Sequence, residues 1–377
     1  MPLTNIINQK KALRIIESMV TGHRLPHALL FWGPAGVGKS YAAIELARWL
    51  NCEMGKEGPC GNCASCLQFA TLEHPHFSYQ IPLPAKALVA SDSGELSNEG
   101  TQRYPEILKK KAEDPYRKVE YSGAQFILIG QIRSLLQWAA KRSFEDKPRL
   151  ALIDHAGKLK EEAANALLKL LEEPPPDFIL VLTAESPEDI LPTLQSRCHL
   201  VEFSNLSDET IQAELGKRGL QDPSEVNRIS HLANGNLSRA IDFFENMDKT
   251  NALLDLAINI IRHALSRNPL EMNSWVDKWE KEDLSGRLFI LEVISAWFRD
   301  ALLIKTADVE DNPKVIHTEH IELLQKFVKN CPDADFILAV KHVEEARRSL
   351  QGNTLAPLTL LVLARRLYSA VYRKKPA

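Results

Sequence analysis

The chain has 377 residues, 45% of them apolar and 25% charged, with a formal net charge of −3. That length is too great for one ordinary core and predicts two or three domains, while the near-balanced charge excludes a global pull toward nucleic acid. No segment approaches the roughly twenty apolar residues that span a bilayer, and Met1 to Lys11 lacks the apolar core of a signal peptide, so a cytoplasmic location without membrane contact is expected.

In chain order, the first clear element is the apolar run Ala28-Leu29-Leu30-Phe31-Trp32, which reads as a buried strand. It leads into Gly33-Pro34-Ala35-Gly36-Val37-Gly38-Lys39-Ser40, a complete G-x-x-x-x-G-K-[ST] phosphate-binding loop, and Tyr41 to Leu50 then carries apolar residues at helical spacing. Glycines let backbone N–H groups converge on phosphates, and the following helix presents its positive end. Lys39 is placed to reach the outer phosphates and the Ser40 hydroxyl to ligate Mg²⁺, so ATP or ADP with Mg²⁺ is the expected ligand.

Four of the six cysteines, Cys52, Cys60, Cys63 and Cys66, follow as C-x7-C-x2-C-x2-C. In a reducing compartment, thiolates at this spacing suit a tetrahedral Zn²⁺ at about 2.3 Å per Zn–S bond, and Gly55, Gly58, Pro59 and Gly61 supply the turns. Four sulfurs close the coordination sphere, so the zinc is expected to be structural; a redox or unliganded cluster is the alternative. Cys198 and Cys331 read as ordinary buried thiols.

Residues 79–123 are mixed in character and read as an inserted surface element with a short helix around Glu106 to Ala112. The run Lys109-Lys110-Lys111 within it reads as a solvated face. Ile129 to Ala140 has helical spacing, and Pro148 introduces a second strand over Arg149 to Asp154. A strand ending in an acidic residue is where a phosphate-loop protein places its Mg²⁺-organising aspartate, and Asp154 takes that role unless it merely caps a helix. The next residue is His155, where many ATPases of this architecture carry a glutamate that activates water; an imidazole differs in reach, so slow hydrolysis by this chain alone is expected.

Glu161 to Glu173 makes a helix of alanines and leucines, ended by Pro174-Pro175-Pro176. Phe178 to Thr183 is a third apolar strand whose Thr183 is either a sensor of the terminal phosphate or a plain strand residue. Leu191 to Phe203 contains Ser196-Arg197-Cys198, with the arginine leading into a short strand.

HALLFWGPAGVGKS, the four cysteines, the Asp154 strand, AANALLKLLEEPPP and LQSRCHLVEF together resemble bacterial DNA polymerase III clamp-loader subunits of the AAA+ class, over nearly the whole chain and more in their delta-prime than their gamma/tau form. The resemblance implies a three-part architecture: an α/β phosphate-loop domain with a parallel sheet over 1–203, holding the zinc module at 52–66 and the insertion at 79–123, then a small helical lid over 204–248 and an all-α collar over 249–377. It implies that Arg197 is a finger reaching the ATP of a neighbouring subunit. In Gly235-Asn236-Leu237-Ser238-Arg239-Ala240, it implies that Arg239 is a second sensor of this chain's own nucleotide, the alternative being a solvated helix arginine. The implied partners form a hetero-oligomer of gamma/tau motor subunits and a clamp-opening delta-type subunit, with the sliding clamp and primed DNA reached through the assembly. A self-contained gamma-type ATPase using His155 as base, and a structural scaffold with a vestigial loop, are the alternatives.

The C-terminal part is helical by periodicity over Leu253 to Leu265, Leu288 to Lys305, His320 to Lys329, Ala334 to Leu350 and Leu355 to Tyr372. Asn353, between the last two, resembles a feature of the family's collar.

Overall fold

Five consecutive apolar residues form strand β1 (Ala28–Trp32), and a run with no polar alternation has to be covered on both faces. The computed structural model, which describes residues 3, 5–55, 58–89, 95–121, 124–141, 147–266, 272–306, 321–352 and 354–372, meets that requirement by placing β1 inside a five-stranded parallel sheet. The other strands are β2 (Phe77–Gln80), β3 (Arg149–Ile153), β4 (Phe178–Ala184) and β5 (His199–Glu202), in the order β2-β3-β4-β1-β5. Three of the expected strands are found within a residue of their expected ends; β2 is a fourth that the reading of residues 79–123 as an insertion cut through.

Helices cover the sheet. The first are α1 (Lys10–Thr21), α2 (Lys39–Asn51), α3 (Ala64–Phe69), α4 (Asn98–Glu113), α5 (Ile129–Ala140), α6 (Glu161–Glu172) and the single turn α7 (Pro192–Gln195). Alternate residues of β1, Ala28 and Leu30, pack with Leu180 and Leu182 of β4 against Ile132 and Leu135 of α5 and Leu167 and Leu171 of α6. Helix α6 begins with Glu161 and Glu162 against its positive end and stops before the three prolines, as its composition dictates.

Helix α4 is longer than expected. It starts at Asn98, capped by the Ser97 hydroxyl accepting from Gly100 N–H, and it carries Pro105 in its interior. Proline reads as a breaker in sequence, which is why the expected helix began only at Glu106.

The chain divides into two compact units, Met1–Gly219 with Ala233–Asp242, and Leu220–Leu232 with Phe243–Ala377. The first unit also takes in α8 (Asp208–Lys217) and the start of α10 (Leu237–Glu245); most of α9 (Pro223–Ala233) belongs to the second. The second unit continues with α11 (Met247–Ala264), α12 (Met272–Lys281), α13 (Leu284–Thr306), α14 (Ile321–Asn330), α15 (Phe336–Gln351) and α16 (Ala356–Val371). Its centre is α13, apolar on nearly every side because α11, α14 and α15 all pack on it. Phe298 of α13, Phe327 of α14 and Phe336 of α15 form an aromatic cluster, and the fully buried Trp279 donates its indole N–H to the Ala356 carbonyl at 2.9 Å. Asn353 and His320 lie outside the described residues. Among the described residues no helix is long and apolar enough to cross a membrane.

Leu30 is fully buried at the centre of β1, between β4 and β5. Leu30→Ala is expected to destabilise the first unit by about 2–5 kcal/mol, read as an earlier urea transition of that unit, and an unchanged transition would contradict its central position.

Candidate functional site

The parallel register carries the ends of β1, β3 and β4 to one edge of the sheet. Phe31 pairs with Thr183 and Ile153 with Leu182, so the loop after β1, the residue after β3 and the last turn of β4 emerge together. Strand β1 lies between β4 and β5, where the chain's path across the sheet reverses, and such a switch point leaves a crevice outside the strand ends.

The loop has the backbone its residue types demand. Gly36 has φ of +70° and Gly38, the residue before α2, has φ of +103°, a region side chains avoid. Close approach adds a second reason: a Cβ on Gly36 would lie 1.7 Å from Asn236 Oδ1, and one on Gly38 would lie 3.0 Å from the Tyr116 hydroxyl. Lys39 is buried, and its ammonium donates to the Gly33 and Pro34 carbonyls, each at 2.6 Å. Burial pulls its pKa down to about 8, against the opposing charges of Asp154 and Glu185. An ammonium whose hydrogen bonds among the described residues go to loop carbonyls, at the start of the 13-residue helix α2, fits a phosphate group. A groove beside the loop's start is lined by Trp32, Gly33, Pro34, Glu185, Phe203 and Asn205.

Asp154 stands directly after β3 and gathers hydroxyls. Ser40 Oγ donates to its Oδ1 at 2.7 Å, Thr183 Oγ1 to the same oxygen at 2.5 Å, and Tyr79 Oη to its Oδ2 at 2.7 Å. Burial alone would raise the carboxyl's pKa. The charges of His155 and Lys111 and the hydrogen bonds from Thr183 and Tyr79 outweigh it and hold the group well below the usual carboxylate range. Asp154 therefore does not serve as a helix cap through its side chain. His155 adopts a left-handed conformation with φ of 57°, and its backbone N–H donates to Thr183 Oγ1 at 3.0 Å. No carboxylate occupies position 155.

Residues 79–123 differ from the expectation of an inserted surface element in two ways. The segment is no surface appendage: Tyr79 lies on β2 and reaches Asp154, the Tyr104 hydroxyl bonds the Tyr79 carbonyl, and Tyr116 lies over Gly38, its hydroxyl accepting from Ile7 N–H at 2.8 Å. Asp114 meets Arg218, just beyond α8, through two bonds of 2.6 and 3.1 Å. Lys109 and Lys110 are exposed, but Lys111 is buried, donating to the Arg117 carbonyl at 3.0 Å. A charge run distributed along a helix turns one member in three or four toward the same face, which the flat reading of the run ignores.

Arg239 lies in the first turn of α10, half-buried, its backbone N–H bonded to the Asn236 side chain that contacts Gly36. Arg197 is on the surface, where its guanidinium pairs with Glu172 at 2.8 Å and donates to the Thr193 carbonyl at 2.9 Å. The sequence reading missed Tyr79, Tyr116 and Asn236; the period-2 pattern of Phe77 and Tyr79 was the one signal pointing to β2.

The four cysteines converge between α2 and α3, their sulfurs all within 4.8 Å of one another. Cys52 and Cys63 are 3.9 Å apart, as are Cys60 and Cys66, close to the edge of about 3.8 Å of a tetrahedron with Zn–S bonds of about 2.3 Å. The N–H groups of Cys60, Cys63 and Cys66 donate to Cys52, Cys60 and Cys63 sulfurs at 3.3 to 3.4 Å, favouring thiolates. Hydrogen bonds from the backbone of Asn62 and Cys63 draw the Cys60 pKa down to about 6, while burial pushes the Cys66 thiol up to about 12. This donor set fits zinc. Cys198 and Cys331 are buried thiols, with burial pushing Cys198 up to about 11.

The sheet, the loop and the aspartate after the strand define a phosphate-loop protein. A profile described as DNA polymerase III, delta subunit, matches residues 8–207, more than half of the chain, and the chain belongs to that family. It is 25% identical over 350 residues to the DNA polymerase III subunit delta′ of Bacillus subtilis, covering 92% of each chain. It is 30% identical over 173 residues to subunit delta′ of Pseudomonas aeruginosa, covering 46% of this chain and 41% of that one. With subunit gamma/tau of Mycobacterium tuberculosis it shares 28% identity over 213 residues, 56% of this chain but 30% of that one.

Elemental analysis of protein purified under reducing conditions without chelators is expected to find one Zn²⁺ per chain, with occupancy and thermal stability lowered in Cys63→Ser. Metal-free wild-type protein would overturn the assignment.

Proposed function

We propose that the chain is a delta-prime-type clamp-loader subunit that binds ATP or ADP but leaves hydrolysis to its partners. The observation that carries this reading is the pairing of an intact phosphate loop with His155 beside Asp154. The loop amides and the start of α2 would hold the phosphates, with Lys39 leaving the Gly33 and Pro34 carbonyls for phosphate oxygens. Ser40 and Asp154 would hold Mg²⁺, whose role is to neutralise the phosphate charge. Thr183, bonded to Asp154, and Arg239, at the start of α10, would respond to the terminal phosphate. Efficient attack on that phosphate also needs a group to orient and deprotonate water, and no carboxylate follows Asp154 to do it.

In this reading the subunit works in the cytoplasm, in a hetero-oligomer with gamma/tau motor subunits and a clamp-opening delta-type subunit. Residues 204–248 serve as lid and 249–377 as collar, and the assembly places a sliding clamp on primed DNA. The zinc braces the first domain, because four sulfurs leave no coordination position for substrate.

Arg197 supplies the arginine finger for a neighbour's ATP. Its contact with Glu172 is an exposed ion pair, of a kind worth at most about 1 kcal/mol, so exchange of Glu172 for a phosphoryl group costs little. The guanidinium's planar fork suits the charge on a transferring phosphoryl group, which a lysine cannot match in geometry.

Arg197→Ala and Arg197→Lys are therefore expected to leave folding, zinc content and this chain's own nucleotide affinity unchanged, while lowering the DNA- and clamp-stimulated ATPase of the reconstituted complex by about 10³-fold or more at the affected site. Wild-type ATPase and clamp loading with either variant would make Arg197 a surface arginine.

A further inference from the structure

The hydroxyl on Asp154 Oδ2 comes from outside the loop-and-strand machinery. Ser40 and Thr183 share Oδ1, as a loop serine and a strand-end threonine at adjacent positions can, but Tyr79 comes from the edge strand β2 and takes the other oxygen at 2.7 Å. A carboxylate offers about four lone-pair sites, so three hydroxyl donors leave it nearly saturated. Tyr79 is itself fixed: it is buried, its backbone pairs with Leu152 of β3, and its carbonyl takes the Tyr104 hydroxyl of α4. Lys111, two turns further along the same face of α4, is buried too; burial lowers its pKa, and the charge of Asp154 works against that lowering.

We propose that Tyr79 is a positioning residue that weakens divalent-ion capture at the nucleotide site, by holding the Asp154 oxygen that a Mg²⁺ ion or its water would need, with Lys111 supplying part of the positive charge in the ion's place. The inference rests on the nucleotide-binding reading of the loop. Its consequence is that nucleotide enters and is held with little help from Mg²⁺, and that the ion is captured only when Tyr79 gives way. Substitution of the phenol by phenylalanine removes one donor and keeps the ring that fills the space beside β3.

The test is the affinity of the full-length, zinc-loaded chain for ADP by calorimetry, in buffer without divalent ions and then with saturating MgCl₂. Chelator is left out because it would strip the cysteine cluster. Wild type is expected to change little between the two conditions, whereas Tyr79→Phe gains about tenfold in affinity from Mg²⁺, the effect of freeing a charged acceptor from one hydrogen bond. Lys111→Met, which keeps the length of the buried stem, is expected to move in the same direction and carries the test should Tyr79→Phe fold poorly. A tenfold Mg²⁺ gain already present in wild type and unaltered in both variants would overturn the proposal while leaving nucleotide binding intact. Absence of ADP binding by wild type in both conditions would overturn the phosphate-loop reading and this inference with it.

Discussion

A single buried carboxylate organises the nucleotide side of this molecule. Asp154 sits at the exit of β3, out of water, and an ionised group there is tolerable only if its oxygens are bonded and its charge is answered. The answer comes from four parts of the chain: Ser40 at the start of α2, Thr183 near the end of β4, Tyr79 on β2 and the buried ammonium of Lys111 on α4. Each can reach it only because the strands run parallel and in the observed order, so the polar centre and the apolar sheet specify one another.

The loop is gripped from both sides by segments distant in sequence. Asn236, capping α10, lies against Gly36, where a Cβ would collide, and Tyr116 lies over Gly38, where a Cβ would be pressed tightly at 3.0 Å. The same segment that carries Tyr116 is clamped at Asp114 by Arg218, a bidentate pair of the strong, geometrically specific kind. The start of α10 and the end of α8 are therefore tied by contacts to the loop and to the segment that lies over it. These contacts need glycine at positions 36 and 38 for approach as well as for backbone conformation, a double constraint that a phosphate-loop pattern alone does not reveal.

What was legible in the sequence follows from range. The strands β1, β3 and β4 are continuous apolar runs, and the loop and the cysteines are short-range patterns whose chemistry depends on spacing, so all could be read locally. Residues 79–123 could not. Their roles come from tertiary contacts: Tyr79 matters because β2 pairs with β3, Lys111 because α4 turns one lysine of three inward, and Tyr116 because Gly38 has no side chain. Pro105 hid the first half of α4 by a rule that holds in most helices and fails in this one. The ion pair of 2.8 Å between Arg197 and Glu172 of α6 is likewise a tertiary contact that no local pattern announces.

The central claim is that a complete phosphate loop is here joined to a site that cannot turn nucleotide over efficiently by itself. The most direct measurement is the steady-state rate of phosphate release by the isolated chain at saturating ATP and Mg²⁺, with nucleotide occupancy verified in the same sample. The account predicts an occupied site and a turnover well below about 1 s⁻¹, the low end of ordinary enzymes. An occupied site turning over faster than about 1 s⁻¹ would contradict it and make the chain a motor in its own right.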